Sequence, residues 1–335
     1  MLRNGGTGMK TSRLLVCLAA GLIACDGLSG PEGVTPITGD ALVAHATYLA
    51  DDSLYGRPAG WLDELTAAEY IANEFRRFGL EPLVPEFLQP FWIGDQPVAG
   101  APIRQTRPWS QNVIGSIPGR GALAQEWVIV GAHYDHVGWA VGPDSVLRIF
   151  NGADDNASGT AAMLEIARYL AEYVARAGLG GAERRSVMFH AYGAEEIGLR
   201  GSEFYCANPI VPLEAVAAMV NLDMVGRLRD DLLTVGLSTT ASFWPVKLAA
   251  ANRDGLTFAL EDKFVGRSDH YCFYRAGRPA IHLFTGLHPE YHTPSDDVHL
   301  LNVEGLRQVT ELAAQMVLDL ITARDLNPGL GAPQH

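Results

Sequence analysis

Four stretches of this chain are apolar with no polar face: residues 127–132 (Trp-Val-Ile-Val-Gly-Ala), 186–192, 215–222 and 279–284. A strand with one wet face alternates polar and apolar side chains, so unbroken runs predict strands buried on both sides, as in a parallel sheet covered by helices. The alanines of 215–222 also allow a helical turn before a short strand. Between the first two runs, Ala161, Leu164, Ala167, Leu170, Ala171 and Val174 mark one face of a helix. Residues 66–78 repeat Ala67, Tyr70, Ile71, Phe75 and Phe78 at helical intervals before Gly79 stops them. A last helix over 303–323 is striped by Leu306, Val309, Leu312, Met316, Val317 and Leu320. Residues 82–110, rich in proline and without clear periodicity, read as loops and edge strands. Strands alternating with helices predict an α/β sandwich.

Composition adds that one core suffices. A chain of 335 residues, 48% of them apolar, folds without disulfide staples, and its body is expected as a single domain over 41–325, with a short tail over 326–335. The formal charge of −13 and the lack of any basic run exclude a nucleic-acid backbone as partner. The amino terminus reads differently from the body. Lys10 and Arg13 precede an apolar run over 14–24, too short to span a bilayer but suited to a secretory signal. Leu22, Ile23, Ala24 and Cys25 resemble the lipobox of bacterial lipoproteins, in which the cysteine is lipidated and becomes the first residue; an ordinary cleaved signal is the alternative. The expectation is a signal over 1–25, a Gly/Pro/Ser/Thr-rich tether over 26–40, and a protein exported and held in the cell envelope by lipid on Cys25. Only Cys206 and Cys272 then remain to pair. Their spacing does not decide whether the two Cα atoms approach to about 6 Å, and two free thiols are the default expectation.

In open α/β sheets, ligands bind beyond the carboxyl ends of the strands. The first run ends in His133-Tyr134-Asp135, the second in Gly193-Ala194-Glu195-Glu196 and the third in Asp223, while the fourth leads to Tyr291-His292. Asp154, Asp155 and Asn156 stand just before the helix that follows the first strand. Singly, each has a plain explanation: a helix cap, a solvated loop, a structural His-x-Asp pair. Together, several carboxylates at one sheet edge repel each other and call for counter-charge, and His with carboxylate is a donor set suited to zinc.

The stretches A-H-Y-D-H-V-G (132–138), G-A-D-D-N-A-S-G (152–159), A-E-E-I-G-L-R-G-S (194–202), N-L-D-M-V-G (221–226), G-R-S-D-H (266–270) and Y-H-T-P-S-D-D (291–297) resemble those of the M28 metallopeptidases, the family that includes secreted aminopeptidases of Vibrio and Streptomyces. The resemblance covers roughly 41–320. It implies a three-layer sandwich with a central mixed, mostly parallel sheet flanked by helices. It also implies two zinc ions, bridged by Asp155, with His133 and Asp223 completing one site and Glu196 and His292 the other. Asp135 would sit behind His133, Ser268 would support His292, and the peptide after Asp155 would be cis. Glu195 would be the general base of an aminopeptidase and Tyr291 a stabiliser of the oxyanion. Arg267 and Phe284 fall in stretches like those that line the substrate cleft. The other eight histidines, His136 among them, are expected to pack or to lie on the surface. Rival expectations are a carboxypeptidase or dipeptidase of the same family, and a single-zinc enzyme like glutaminyl cyclase.

Overall fold

A computed structural model describes residues 33–94, 108–176, 181–261 and 266–326. The expected signal, the lipobox with Cys25, the first part of the tether and the tail from 327 lie outside them. The helices are α1 (Gly39–Leu49), α2 (Leu62–Phe78), α3 (Gly159–Arg176), α4 (Arg200–Ala207), α5 (Trp244–Ala251), α6 (His270–Arg275) and α7 (Val303–Thr322). The strands are β1 (Glu81–Pro82), β2 (Leu88–Trp92), β3 (Trp109–Ile117), β4 (Trp127–His133), β5 (Trp139–Val141), β6 (Leu147–Ile149), β7 (Ser186–Tyr192), β8 (Val216–Leu222), β9 (Leu232–Gly236), β10 (Thr257–Leu260) and β11 (Ala280–Phe284).

All strands but the β5–β6 hairpin join one sheet, in the order β1-β3-β7-β4-β8-β11-β9-β10 with β2 on β3. Its centre is parallel: β4 pairs with β7 and β8, and β11 with β8. Strands β3 and β9 run antiparallel to their neighbours β7 and β11. This is the expected three-layer sandwich with a mixed sheet. The four apolar runs become β4, β7, β8 and β11, and the alternation of their side chains feeds two cores. Val128, Val130 and Ala132 of β4 enter a core with α1, α2, α3, α5 and α7, whereas Ile129 enters a second core with Tyr205 of α4 and Phe273 of α6. The helical turn allowed before the third strand is present as Leu213–Ala215.

Three local differences from the sequence expectations have physical causes. The segment read as tether is anchored from Gly33 onward: Val34 and Ile37 are buried, Glu172 of α3 accepts the Thr35 N–H at 2.8 Å, and Arg168 reaches the Thr35 and Pro36 carbonyls. A few apolar and carbonyl contacts suffice to fix a Gly/Pro-rich segment whose composition suggested freedom. Strand β3 hid because the buried side chains that open it, Ser110, Gln111 and Asn112, are polar and only Val113, Ile114 and Ile117 after them are apolar. Ser110 donates to Glu64, Gln111 to the Tyr134 hydroxyl, and Asn112 to Gln89 and the Gly201 carbonyl. Each is satisfied, which is what makes polar burial tolerable. Cys206 and Cys272 form a disulfide, with Cα atoms 6.1 Å apart, because α4 and α6 pack together on the second face of the sheet. No helix among the described residues is long and apolar enough to cross a membrane.

Candidate metal centre

The polar residues converge because parallel strands end together. Gly131 of β4 pairs with Asn221 of β8, so His133 and Asp223 emerge side by side, with His133 Nε2 3.4 Å from Asp223 Oδ1. Asp155 enters from the irregular turn Ala153–Ser158, placing Oδ1 3.2 Å from His133 Nε2 and Oδ2 2.9 Å from His292 Nε2. Glu196 Oε2 lies 3.1 Å from the same His292 atom. The Asp155–Asn156 peptide is cis.

Motif residues that are not themselves part of this cluster tie its loops together. Asp296 Oδ2 accepts the N–H groups of Asp154 and Asp155 at 2.9 and 3.1 Å. Asp154 Oδ1 accepts the Gly226 N–H at 2.6 Å, and Asn156 Oδ1 caps α3 through Gly159 while also accepting from Met224. Asp135 was expected behind His133. Its backbone oxygen is there, 3.2 Å from Nδ1, with the carboxylate at 3.8 Å, but that carboxylate accepts the N–H groups of Glu195 and Glu196 at 2.9 and 3.3 Å. Ser268 was expected to support His292. Its Oγ instead accepts from Asn221 Nδ2 of β8 at 2.8 Å, because Ser268 leads into α6, which packs on β8.

Two residues that pattern reading passed over belong to the site. His136, assigned to packing, joins Asp155, Glu196 and His292 in a group whose donor atoms lie within 4.8 Å of one another, and a second group comprises His133, Glu195 and Asp223. The signal was its place three residues after His133. Arg57 is wholly buried and donates to four carbonyls, those of Leu49, Tyr134, Asn151 and Gly152, at 2.5–2.8 Å. Burial lowers its pKa to about 10 against the pull of Asp155, Asp135, Asp296 and Glu196. A lone arginine in an N-terminal loop gives no sequence signal of this.

The donor spacing fits zinc. Tetrahedral ligands with bonds of about 2.0 Å stand roughly 3.3 Å apart, and the four contacts around His133 and His292 span 2.9–3.4 Å. Electrostatics agree. Burial opposes charge on His133, yet Glu195, Asp223 and Asp155 outweigh it and raise its pKa well above the usual value. Burial likewise opposes charge on His292, and hydrogen bonds to Asp155 and Glu196 push its pKa up to about 10. An acid-rich cluster that makes its histidines hold protons is one that attracts cations. Burial raises the Glu195 carboxyl well above the carboxylate range, with Asp269, Asp223 and Glu196 adding to the effect and His133 opposing it.

His133, Asp155, Glu195, Glu196 and Asp223 line a cleft of about 260 Å³ together with Met224, Arg267, Phe284, Leu287 and Tyr291. Tyr291 stacks on His292 with ring centroids 3.9 Å apart, and burial together with the nearby carboxylates keeps its hydroxyl protonated.

This chain belongs to Peptidase family M28, whose model matches residues 112–317. It is 31% identical over 227 residues to Aminopeptidase YwaD of Bacillus subtilis (strain 168), an alignment that takes in 64% of this chain and 46% of that relative, so the chain spans about half its length. Its fold is similar to that of a zinc aminopeptidase from Bacillus subtilis, with a TM-score of 0.68 at 21% identity, covering 86% of this chain and 96% of the other. It is also similar to that of a glutaminyl cyclase from Bacteroides thetaiotaomicron, with a TM-score of 0.66 at 19% identity and coverage of 85% and 98%. Fold alone therefore does not separate hydrolysis from cyclisation, and the choice rests on the site.

Proposed function

We propose that this chain is a two-zinc aminopeptidase that removes the amino-terminal residue of peptides. The observation that carries the reading is Asp155 with one oxygen on each of two histidines, His133 and His292, beside a further carboxylate, Glu195, in one cleft. Assigning Asp155 as the third ligand beside His133 and Asp223 leaves Glu195, the other carboxylate near that pair, as the base. Bound zinc ions would acidify a water molecule and polarise the scissile carbonyl. Glu195 takes a proton from the attacking water and returns it to the leaving amine. The Tyr291 hydroxyl donates to the tetrahedral oxyanion. Acidic groups around the metals hold the substrate's free α-ammonium group, which favours an exopeptidase. Phe284 floors an apolar pocket for a large first side chain such as Leu, and Arg267, exposed at the cleft wall, contacts the backbone or carboxylate of short substrates.

Five donors suited to two ions argue against a single-zinc cyclase, and the preponderance of carboxylates in the cleft argues against a carboxypeptidase, which needs cations for its substrate's carboxylate. The test is metal analysis together with the release of free amino acids from unblocked and N-acetylated peptides. Two zinc ions per chain and cleavage of the unblocked peptide alone are expected; equal cleavage of both overturns the reading. Leu-anilide is expected to exceed Glu- and Lys-anilides in kcat/KM, and the reverse order removes the pocket assignment.

The reading includes a location. Lipid on Cys25 holds the enzyme in the cell envelope, and the Cys206–Cys272 bond supports an oxidising compartment. Cys25→Ser is expected to release the protein from membranes, and retention of the variant there overturns the anchor.

A further inference from the structure

Glu196 has two carboxylate oxygens with different partners. Oε2 faces His292 Nε2 at 3.1 Å, and Asp155 Oδ2 lies 2.9 Å from that same nitrogen, so these three atoms form the tight corner of the second ligand group. Oε1 is 2.7 Å from His136 Nδ1, which stands 3.9 Å from Asp155 Oδ2 and is thus one step further out than the corner. A carboxylate at neutral pH has no proton to give, so in this contact Nδ1 carries the hydrogen and Oε1 accepts it. The other ring nitrogen, Nε2, is buried and makes no hydrogen bond.

The ring has little freedom to leave. It is 1% exposed and its backbone N–H is held by the Arg57 carbonyl at 3.3 Å. A Cβ at Gly152 would sit 2.5 Å from the ring, so only glycine fits there, at a φ of +57° that glycine also tolerates best. His292 meets the ring edge-on at 5.4 Å. The imidazole is therefore boxed in with Nδ1 aimed at Oε1.

We propose that His136 is a positioning residue of the second metal site: it occupies Glu196 Oε1 and so leaves the carboxylate to ligate through Oε2 alone. A carboxylate free to rotate offers either oxygen, or both, to a cation; one pinned by a second hydrogen bond presents a single oxygen in a fixed direction, which is how outer partners sharpen metal affinity. The histidine acts on the metal through Glu196 and is not itself a ligand. This inference rests on the two-zinc reading above.

The experiment compares two substitutions of nearly equal shape, His136→Asn and His136→Leu. The Asn amide can place an N–H close to where Nδ1–H stood, whereas Leu cannot. Zinc stoichiometry and affinity are measured by chelator competition, with thermal melting of the metal-free proteins alongside. The Leu variant is expected to bind one zinc ion normally and the other about 10- to 100-fold more weakly. The Asn variant is expected to bind both nearly as the parent does, and the two metal-free variants to melt together. Parental affinity at both sites in the Leu variant overturns the proposal. Equal weakening in the Asn and Leu variants, or equal loss at both sites with a lower melting point, assigns His136 to structure alone and also overturns it. Nitrogen-15 NMR of the zinc-loaded parent needs no variant: a protonated Nδ1 on His136 is expected, and an unprotonated, metal-shifted Nδ1 makes His136 a ligand and sinks the proposal. If the parent binds no zinc, the two-zinc reading falls with it. If the parent binds two and the Leu variant does so equally well, only the role of His136 falls.

Discussion

Asp135 Oδ1 accepts the backbone N–H of Glu195 at 2.9 Å, and its other oxygen accepts that of Glu196 at 3.3 Å. One buried carboxylate at the end of β4 thus fixes the turn after β7 that carries both the proposed base and a proposed ligand. Burial raises its own pKa to about 6, against the opposing influence of His133. Asp135→Asn keeps the shape but turns an NH2 group towards one of the two N–H donors. A fall in kcat of about 10- to 100-fold is expected, the size usual for loss of an outer partner in a metal site. Steady-state kinetics at fixed zinc check it, and unchanged kcat would show that the turn holds itself.

Glu195→Gln removes the proton acceptor while preserving volume and most contacts. A loss of at least about 10²-fold in kcat is expected, with both zinc ions retained by metal analysis. Near-normal turnover would place the base elsewhere in the cleft.

The disulfide joins α4, which follows the Glu195–Glu196 turn, to α6, which follows Arg267 and Ser268. Cys206→Ser with Cys272→Ser releases a 66-residue separation in the unfolded chain. A stability loss of roughly 2–4 kcal/mol is expected, measurable from the urea midpoint and slope together. Equal midpoints with and without reductant would show that the bond does not constrain the chain.

Zinc uptake should release protons. In the metal-free protein the His292 ring, with a pKa of about 10 against an ordinary 6.5, is charged at neutral pH, and a zinc ligand must be neutral. Apparent zinc affinity is therefore expected to rise with pH between 6 and 8 on the order of tenfold per unit for each proton displaced. Calorimetry in buffers of different ionisation enthalpy counts those protons, and none released would contradict the electrostatics. The sign for stability is opposite. Charged His292 contributes to the metal-free fold in full below pH 6.5, and that contribution is lost as pH rises towards 10. Added zinc should cancel this loss.

Much of the fold was legible because hydrophobic burial leaves a periodic mark. The runs that became β4, β7, β8 and β11 have no polar face, since both sides of a central parallel strand are covered, and the stripes of α2, α3 and α7 follow one helix face each. Where burial is polar the mark disappears, as in the first half of β3, where Ser110, Gln111 and Asn112 are paid for by partners distant in sequence.

The site divides along the same line. By itself the sequence determined which acidic and histidine residues follow each strand, because a strand's end and its next residue are covalently linked; hence His133, Glu195, Glu196 and Asp223 could be named together. The family resemblance already implied Asp155 between His133 and His292; only the tertiary structure decided the other meetings, with Asp135 on the Glu195 turn, Ser268 on Asn221, and His136 on Glu196. Those contacts join residues as far apart in the chain as Asp155 and His292. A hydrogen bond depends on separation and angle within about 3 Å, and no local periodicity encodes that across such distances.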